Sequence, residues 1–225
     1  MSSDSRSDHS APGAVGPVAG VVLAGGQARR MGGGDKALLP LAGRPLLDHT
    51  IARARPQVAR LILNANGDAA RFAGRDLDVV ADGVTGFAGP LAGVLAGLDH
   101  FAATMPAARW MASFAVDAPF FPDDLVARLV AAVAGGRADL ACAASGGRTH
   151  PVFGLWPLAL RDDLRHALSV EGIRKVDAWT TRFRLAVVDY AVDAGPARCD
   201  PFLNLNRPAE LAEAERIIVI SRRLG

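Results

Sequence analysis

The sequence has few of the residues that mark disulfide-rich, zinc-thiolate or redox proteins. It contains two cysteines, Cys142 and Cys199, which lie far apart and outside any C-x-x-C pair. This spacing argues against a disulfide framework, a zinc site and a thioredoxin-like motif. We therefore expect a protein of the reducing cytoplasm.

Long apolar runs and an excess of one charge are also missing. The formal net charge is +2, so neither nucleic acid nor an anionic membrane is an expected partner. A membrane-spanning helix needs about 20 consecutive apolar residues, and no stretch is apolar for that long. Residues 1–17, MSSDSRSDHSAPGAVGP, lack the apolar run of a secretion signal and are rich in Ser, Gly and Pro. We expect them to form a disordered tail.

Familiar catalytic motifs are absent as well. No H-E-x-x-H sequence occurs, the five histidines are scattered, and Ser145 in AASGG does not form G-x-S-x-G. Neither a zinc protease nor an α/β-hydrolase is therefore indicated. His150, in RTHPVF, is the one histidine of interest. Because it stands alone at the start of a predicted strand, we expect it to be a hydrogen-bonded structural residue and not a catalyst.

The sequence does contain a regular alternation of short apolar runs and longer helical patterns. Its 225 residues are 50% hydrophobic, which suits one full-sized core. The strand-like runs are GVVL, LILN, LDVVA and WMASFAV, and the helical patterns are RPLLDHTIARAR, GPLAGVLAGLDHFAAT and PFFPDDLVARLVAAVAGG. This order predicts an α/β fold in which a single domain, residues 18–220, has an open, mainly parallel sheet with helices on both faces.

Beyond about residue 145 the alternation is weaker. HPVFGLW and FRLAVVDY are predicted strands, and LRDDLRHALS and EGIRKVDAWT are predicted short helices. NRPAELAEAERIIVI is predicted to be the closing helix, with Asn206 as its N-cap. In the earlier pattern GPLAGVLAGL, Gly89, Gly93 and Gly97 recur at every fourth position. We interpret them as residues that let a helix lie close to the sheet or to a ligand.

Polar residues follow or end several of the predicted strands. They are Asn64, Asp82, Asp117 and Asp189, and each is a candidate because ligands collect beyond the carboxyl ends of the strands in an open parallel sheet. Asp117 is the strongest candidate, since an apolar run precedes it and Asp-Ala-Pro gives a sharp exit. A carboxylate in such surroundings needs compensation, which a hard cation such as Mg²⁺ would supply.

The segment from Leu23 to Lys36, LAGGQARRMGGGDK, combines glycines with positive charge directly after an apolar run. Glycines let several backbone N–H groups approach an anion, and Arg29, Arg30 and Lys36 add side-chain charge. A G-x-G-x-x-A pattern is present, but it begins too far beyond the strand for a dinucleotide fold, and the P-loop residues around Lys36 are absent. The segment predicts a phosphate-binding loop of another kind, with a flexible loop that binds nothing as the alternative.

These motifs together resemble one family. LAGGQARRMGGGDKALLPLAGRPLLDH resembles the signature of nucleotidyltransferases that activate sugar phosphates and cofactors, and specifically that of the molybdenum cofactor guanylyltransferases. The resemblance continues in the same order through LILNAN, VVADG, GPLAGVLAGL, FAVDAPFFPDDLVARL, RTHPVFGLW and FLNLNRPAEL, and it covers residues 18–215. A glycine loop alone is weak evidence, whereas an ordered set of blocks is strong.

The resemblance implies a role for particular residues. Those implied to bind GTP are Leu23, Ala24, Gly25, Gly26, Lys36, Asn64, Asp82 and Asp117. Arg30, Lys36 and Asp117 are implied to act in catalysis, with Asp117 also holding Mg²⁺, and Asn204 and Asn206 are implied to bind molybdopterin. The N-terminal part of the domain would therefore bind GTP and the C-terminal part molybdopterin.

In the implied reaction, the terminal phosphate of molybdenum-bound molybdopterin attacks the α-phosphorus of GTP. Pyrophosphate leaves, and the guanine dinucleotide form of the cofactor results. Molybdopterin-insertion proteins and apo-molybdoenzymes are the further partners that the resemblance implies.

Three alternatives remain open: a cytidylyltransferase for the same pterin, a uridylyltransferase for a sugar phosphate, and a non-catalytic GTP-binding protein or cofactor carrier. Relatives that use CTP resemble Leu-Ala-Ala-Gly at the base site, so Gly25 directly after Ala24 favours guanine. Arg30, Lys36 and Asp117 together argue against a carrier, which does not need a metal-binding carboxylate that faces phosphates.

Overall fold

The structure, a computed structural model, describes residues 16–25, 35–84, 89–192 and 199–224. The strands within these residues are β1 Val18–Leu23, β2 Pro40–Leu41, β3 Arg44–Pro45, β4 Arg60–Asn64, β5 Asp78–Val80, β6 Trp110–Ala115, β7 Leu140–Ser145, β8 Arg148–Pro157 and β9 Leu185–Tyr190. The α-helices are α1 Leu46–Ala54, α2 Pro90–Thr104, α3 Leu125–Val133, α4 Arg161–Ser169, α5 Val176–Thr180 and α6 Pro208–Leu224. Gly26, Arg30 and most of the predicted N-terminal tail lie outside the described residues.

Seven of the strands form one sheet in the order β5-β4-β1-β6-β8-β7-β9. β1 is parallel to β4 and β6, β4 is parallel to β5, and β7 is parallel to β9. β8 is antiparallel to both of its neighbours, β6 and β7. The predicted fold class, an open and mainly parallel sheet in an α/β domain, is confirmed. The carboxyl ends of β5, β4, β1 and β6 therefore meet at one edge of the sheet.

Side-chain alternation along the central strands produces two cores, one on each face. Val22 and Leu63 belong to the core that α1 and α3 cover. Val21 and Ile62 belong to the core that α2, α4 and α5 cover. Successive residues of a strand point to opposite faces, so strands buried on both faces consist of continuous apolar runs. The prediction of helices on both faces is confirmed.

Glycines allow α2 to lie directly against the sheet. A Cβ atom on Gly93 would stand 2.8 Å from Cδ2 of Leu23 and would overlap the side-chain oxygen of Asn64. A Cβ atom on Gly97 would stand 2.6 Å from the sulfur of Met111. These distances are too short for real contacts. A side chain at Gly93 would have to displace the buried Asn64, and one at Gly97 would have to displace the side chain of Met111. Gly89 differs, because its added Cβ would make an ordinary 3.5 Å contact.

The second half of the chain departs from the prediction in several places. β7 was not predicted, and neither was the two-residue turn that joins it to β8, in which Gly146 and Gly147 have φ values of 53° and 75°. Only the last part of EGIRKVDAWT is helical. The other predicted elements of this half, β8, β9, α4 and α6, are present.

The predicted N-cap of α6 is wrong. The side-chain oxygen of Asn206 accepts a hydrogen bond from Lys36, while the carboxylate of Glu210 accepts hydrogen bonds from the backbone N–H groups of Asn206 and Arg207.

Across the described residues, no helix has both the length and the apolar character needed to cross a membrane.

Candidate active site

Backbone hydrogen bonds place the carboxyl ends of four strands side by side. The N–H of Ala24 donates to the carbonyl of Asn64 at 2.9 Å, and the N–H of Ala65 donates to the carbonyl of Val80 at 3.1 Å. On the other side of β1, the N–H of Val116 donates to the carbonyl of Leu23 at 3.2 Å. The polar residues at these strand ends therefore share one edge, where a parallel sheet binds its ligands.

The first polar cluster joins Asn64, Asp82 and Asn66. The amide of Asn64 donates to one carboxylate oxygen of Asp82 at 2.9 Å, and the amide of Asn66 donates to the other at 2.7 Å. The backbone N–H of Asp82 returns a 2.9 Å bond to the side-chain oxygen of Asn66. Each carboxylate oxygen has a second lone pair for a ligand. The cluster thus presents a fixed carboxylate that can accept hydrogen bonds.

Asn64 is held rigidly because α2 packs on it. Its side chain is buried, and its amide also donates to the carbonyl of Val80 at 3.1 Å. A side chain on Gly93 would occupy the space of the Asn64 oxygen. The glycine pattern of α2 therefore contributes directly to the geometry of this cluster.

The second cluster is centred on Lys36, which follows the glycine loop. Its ammonium lies 2.6 Å from a carboxylate oxygen of Asp117, and it also donates to the side-chain oxygen of Asn206. The side chain of Lys36 is 7% exposed and that of Asp117 is 25% exposed. A buried ammonium is tolerated only when it is paired and hydrogen-bonded. The backbone N–H of Leu205 fixes this arrangement by donating to the carbonyl of Asp117 at 2.7 Å.

Arg71 connects the two clusters. Its Nε donates to the carboxylate of Asp35 at 2.7 Å, and its Nη2 donates to the carbonyl of Asn66 at 2.5 Å. Asp35 also accepts the N–H of Ala37 at 3.0 Å and so begins the helical turn that carries Lys36. The end of the glycine loop is therefore tied to the segment that orients Asp82.

The donor atoms around Asp117 suit a hard cation that also binds phosphates. A carboxylate oxygen of Asp117 and the amide oxygen of Asn206 converge on one point, which the ammonium of Lys36 fills. In the part of the chain that the structure describes, no group of three or more His, Cys, Asp or Glu residues could enclose a metal. Mg²⁺ is commonly held by one or two carboxylates together with substrate phosphates. One carboxylate is therefore enough here only if the nucleotide supplies further oxygens.

The structure brings most of the predicted residues together at this edge. Those that line or adjoin the two clusters are Leu23, Ala24, Gly25, Lys36, Asn64, Asp82, Asp117 and Asn206. Asn204 lies two residues before Asn206 and is exposed. Asp189 is not part of the site, because β9 is the far edge of the sheet and β8 and β7 separate it from β6.

Sequence reasoning did not select Asn66, Asp35 or Arg71. Asn66 and Asp35 stood inside quoted motifs, LILNAN and GGGDK, so their positions were a usable signal. No sequence signal pointed to Arg71, because its role depends on contacts with Asn66, five positions away, and with Asp35, 36 positions away.

Comparison with known proteins settles the family. The MobA-like NTP transferase domain matches residues 20–184. A molybdenum cofactor guanylyltransferase from Bradyrhizobium sp. (strain ORS 278) is 58% identical over 206 residues, which cover 92% of this chain and 95% of that protein. The chain belongs to the molybdenum cofactor guanylyltransferases. A member from Rhodopseudomonas palustris (strain BisB5) is 56% identical over 90% of this chain and 95% of its own length.

Solved structures share the fold of this guanylyltransferase family member at lower identity. Molybdopterin-guanine dinucleotide biosynthesis protein A from Archaeoglobus fulgidus superposes with a TM-score of 0.72 at 22% identity, over 90% of this chain and 100% of that one. Rv0371C from Mycobacterium tuberculosis, solved in complex with manganese, gives a TM-score of 0.63 at 19% identity, over 89% and 98% of the two chains. At these identities the likeness supports the nucleotidyltransferase fold alone.

Proposed function

We propose that the protein transfers GMP from GTP to molybdenum-bound molybdopterin, which yields the guanine dinucleotide form of the cofactor and pyrophosphate. The observation that carries this proposal is the pairing of two clusters at one sheet edge. A fixed carboxylate, Asp82, stands on one side, and a buried lysine bonded to Asp117 stands on the other. The first suits a base or ribose and the second suits phosphates and a cation.

The nucleotide half of the site is assigned to the ends of β1, β4 and β5. Gly25 supports this assignment, because an added Cβ there would meet no atom of the described residues within 4 Å. A guanine base could therefore approach the backbone of Ala24 and Gly25 closely. Asp82 has lone pairs left for donors of the base or the ribose, and Leu23 and Gly26 complete the proposed contacts.

The phosphates are assigned to Lys36 and to the glycine loop with Arg30. Because the attacking atom is a phosphate oxygen of the acceptor, the transfer needs no nucleophile from the protein. It needs alignment of the two substrates and stabilisation of charge as the pyrophosphate leaves. Charge-assisted contacts from Lys36 and Arg30 would supply part of that stabilisation.

We assign the divalent cation to Asp117 and propose Mg²⁺ as its identity. The carboxylate of Asp117 and the amide oxygen of Asn206 are oxygen donors of the kind that Mg²⁺ takes. A bound Mg²⁺ would neutralise negative charge on the phosphates. Lys36 would then shift its contact from Asp117 toward the phosphates of the nucleotide.

The acceptor half is assigned to Asn204 and Asn206. The backbone N–H of Leu205, between them, donates to the carbonyl of Asp117, and the side-chain oxygen of Asn206 accepts from Lys36, so the segment adjoins the proposed point of transfer. The amides of the two asparagines can both donate and accept hydrogen bonds, as a phosphorylated pterin requires.

The direct test is incubation with molybdopterin, molybdate-loaded or free, and each nucleoside triphosphate in turn. Parallel reactions with Mg²⁺, with Mn²⁺ and with a chelator identify the cation that the transfer requires. The nucleotide in the product is identified after acid hydrolysis. We expect pyrophosphate release with GTP and Mg²⁺ and recovery of GMP from the product. Preferential use of CTP or UTP would support a cytidylyl- or uridylyltransferase. Tight GTP binding without any pyrophosphate release would support a carrier.

Gly25→Ala is expected to depress the use of GTP and to narrow its preference over CTP. A methyl group at this position would hold the guanine edge away from the backbone and leave polar groups unpaired. Each polar group left unpaired costs about 1–3 kcal/mol of binding free energy. The smaller pyrimidine base of CTP should lose less binding free energy. The measurement is the ratio of kcat/KM for GTP to that for CTP in the wild type and the variant.

Among the described residues nothing lies within 4 Å of the added methyl group, so the variant should fold normally, which thermal melting checks. Gly16→Ala is the matched control, because it adds the same methyl before the other end of β1, 3.3 Å from the carbonyl of Ala107. Its GTP/CTP ratio should equal that of the wild type. An unchanged ratio in a folded Gly25→Ala protein would show that guanine is selected elsewhere in the cleft.

A further inference from the structure

A third polar cluster lies outside the site described above, where β7 and β8 meet the residues that precede α6. The hydroxyl of Ser145 is 2.8 Å from Nε2 of His150 and 2.6 Å from a carboxylate oxygen of Asp200. Ser145 is fully buried. Such a cluster is costly unless every group is satisfied, so its presence calls for a role.

The arrangement is not that of a nucleophilic triad. In a triad the carboxylate orients the histidine and leaves the serine exposed to substrate, whereas here Asp200 bonds the serine, which is buried. The hydroxyl has one proton, and the ionised carboxylate can only accept it. His150 must therefore donate from Nε2 to the serine oxygen. Both the proton and an acceptor site of Ser145 are already used.

The cluster fixes one end of residues 199–206, which we call the asparagine segment. The same oxygen of Asp200 accepts the backbone N–H of Phe202 at 2.9 Å. The ring of His150 stacks on the ring of Phe202 with centroids 4.7 Å apart, and Phe202 is buried. The β7–β8 hairpin thus holds Asp200 and Phe202 by hydrogen bonds and by packing.

The other end of the asparagine segment is fixed independently. Leu205 donates to the carbonyl of Asp117, and the N–H of Asn206 donates to Glu210 at 2.6 Å. The asparagine segment, which carries Asn204 and Asn206, is therefore anchored at both ends. Only the first anchor, the cluster of Ser145, His150 and Asp200, makes no contact with Lys36 or Asp117 among the described residues.

We propose that Ser145, His150 and Asp200 are positioning residues for the acceptor substrate. They act through the asparagine segment by holding Asn204 and Asn206 where a phosphorylated pterin can be bound. This inference rests on the proposed function in assigning the acceptor to those asparagines. It assigns no proton transfer to His150 and no covalent step to Ser145.

Asp200→Ala tests the proposal, because it removes the acceptor of both the Ser145 hydroxyl and the Phe202 N–H. Losing hydrogen bonds to a charged group should raise KM and Kd for molybdopterin about tenfold. The Kd for GTP and the GTP/CTP ratio should stay within about twofold of the wild type. Asp200→Asn keeps an acceptor oxygen and should restore most of the acceptor affinity. Asp139→Asn is the matched control, since it breaks only a pair with Arg184 before β7 and β9.

Direct binding of molybdopterin, followed by pterin fluorescence, separates failure of this inference from failure of the proposed function. If the wild type transfers no GMP, the loss of pterin binding in Asp200→Ala still supports the positioning role. Ser145→Ala is the second variant in case Asp200→Ala does not fold, and it should weaken pterin binding in the same direction. Equal losses for GTP and pterin, or unchanged pterin affinity in folded variants, would overturn the proposal.

His150 provides a second readout. Burial lowers the pKa of His150. The negative charge of Asp200 raises this pKa and so offsets part of the effect, whereas the positive charge of Arg148 lowers it further. Since Nε2 carries a hydrogen in both the neutral donor form and the protonated form, the bond to Ser145 survives protonation. His150→Gln, which retains an N–H donor, should therefore show the wild-type pH profile of kcat/KM between about pH 6 and 8. Loss of an acid limb in this variant would show proton transfer by His150 and contradict a purely positioning role.

Discussion

Asp117→Asn is expected to abolish GMP transfer while leaving the protein folded. The asparagine has nearly the same shape but lacks the charge that the proposed divalent cation needs at this position. Removing one electrostatic group from a transfer site typically costs about 10²–10³ in kcat, and loss of the proposed metal ligand should cost at least that much. The measurement is pyrophosphate release as a function of Mg²⁺ concentration.

Asp123→Asn is the matched control for this substitution. Asp123 follows the same strand, but its side chain is 80% exposed and pairs with Arg53 at the surface. We expect wild-type activity and a wild-type Mg²⁺ dependence for it. In Asp117→Asn, Lys36 loses its counter-charge, so the melting temperature should fall and the assay temperature must stay below it. Mg²⁺-dependent activity within about twofold of the wild type would rule out the role assigned to Asp117.

The first half of the fold could be predicted because its sequence signals are strong and local. β1, β4 and β6 are buried on both faces, so each is a continuous apolar run that ends abruptly. α2 combines helical spacing with glycines. Because these glycines lack side chains, the helix can pack directly on Met111 and Asn64. In these elements local propensity and tertiary packing favour the same structure, which is the condition for reliable prediction.

The second half was harder because its signals are weaker. β7, LACAAS, is rich in alanine, which is neither β-branched nor aromatic and is depleted in strands. Pairing with β8 on one side and with the edge strand β9 on the other, together with burial of all six residues, stabilises it as a strand. Its turn to β8 did carry a signal, since two glycines between strands favour a tight hairpin.

The candidate site was predictable wherever a residue ends a strand next to β1. Asn64 and Asp117 lie at the ends of β4 and β6, which both pair with β1, and Asp82 follows β5, which pairs with β4. Asp189 lies in β9, at the opposite edge of the sheet, so strand order separates it from the other three. Supporting contacts could not be predicted. Ser145 and Asp200 are 55 positions apart, and Lys36 and Asn206 are 170 positions apart. Only the folded chain brings such pairs together.

Lys36→Ala is expected to lower kcat/KM for GTP by about tenfold or more, because a charge-assisted phosphate contact is worth roughly 1.5–3 kcal/mol. The preference for GTP over CTP should not change, since the proposed base contacts lie at Ala24, Gly25 and Asp82. Arg30→Ala should act in the same direction on the rate. The measurement is kcat/KM for both nucleotides, with thermal melting to detect loss of the buried ion pair.

Lys36→Ala is also expected to change metal binding, and this change is a gain, whereas the change in catalytic efficiency is a loss. In the structure the ammonium of Lys36 is the cation beside Asp117 and Asn206, so a divalent metal must compete with it for the same oxygens. Removing the lysine should therefore tighten Mn²⁺ binding to the nucleotide-free protein, as measured by electron paramagnetic resonance, while transfer falls. Lys36→Arg keeps the positive charge and should leave Mn²⁺ affinity near that of the wild type. If Lys36→Ala instead changed the GTP/CTP ratio and left the rate with GTP unaffected, the lysine would belong to the base site and not to the phosphates.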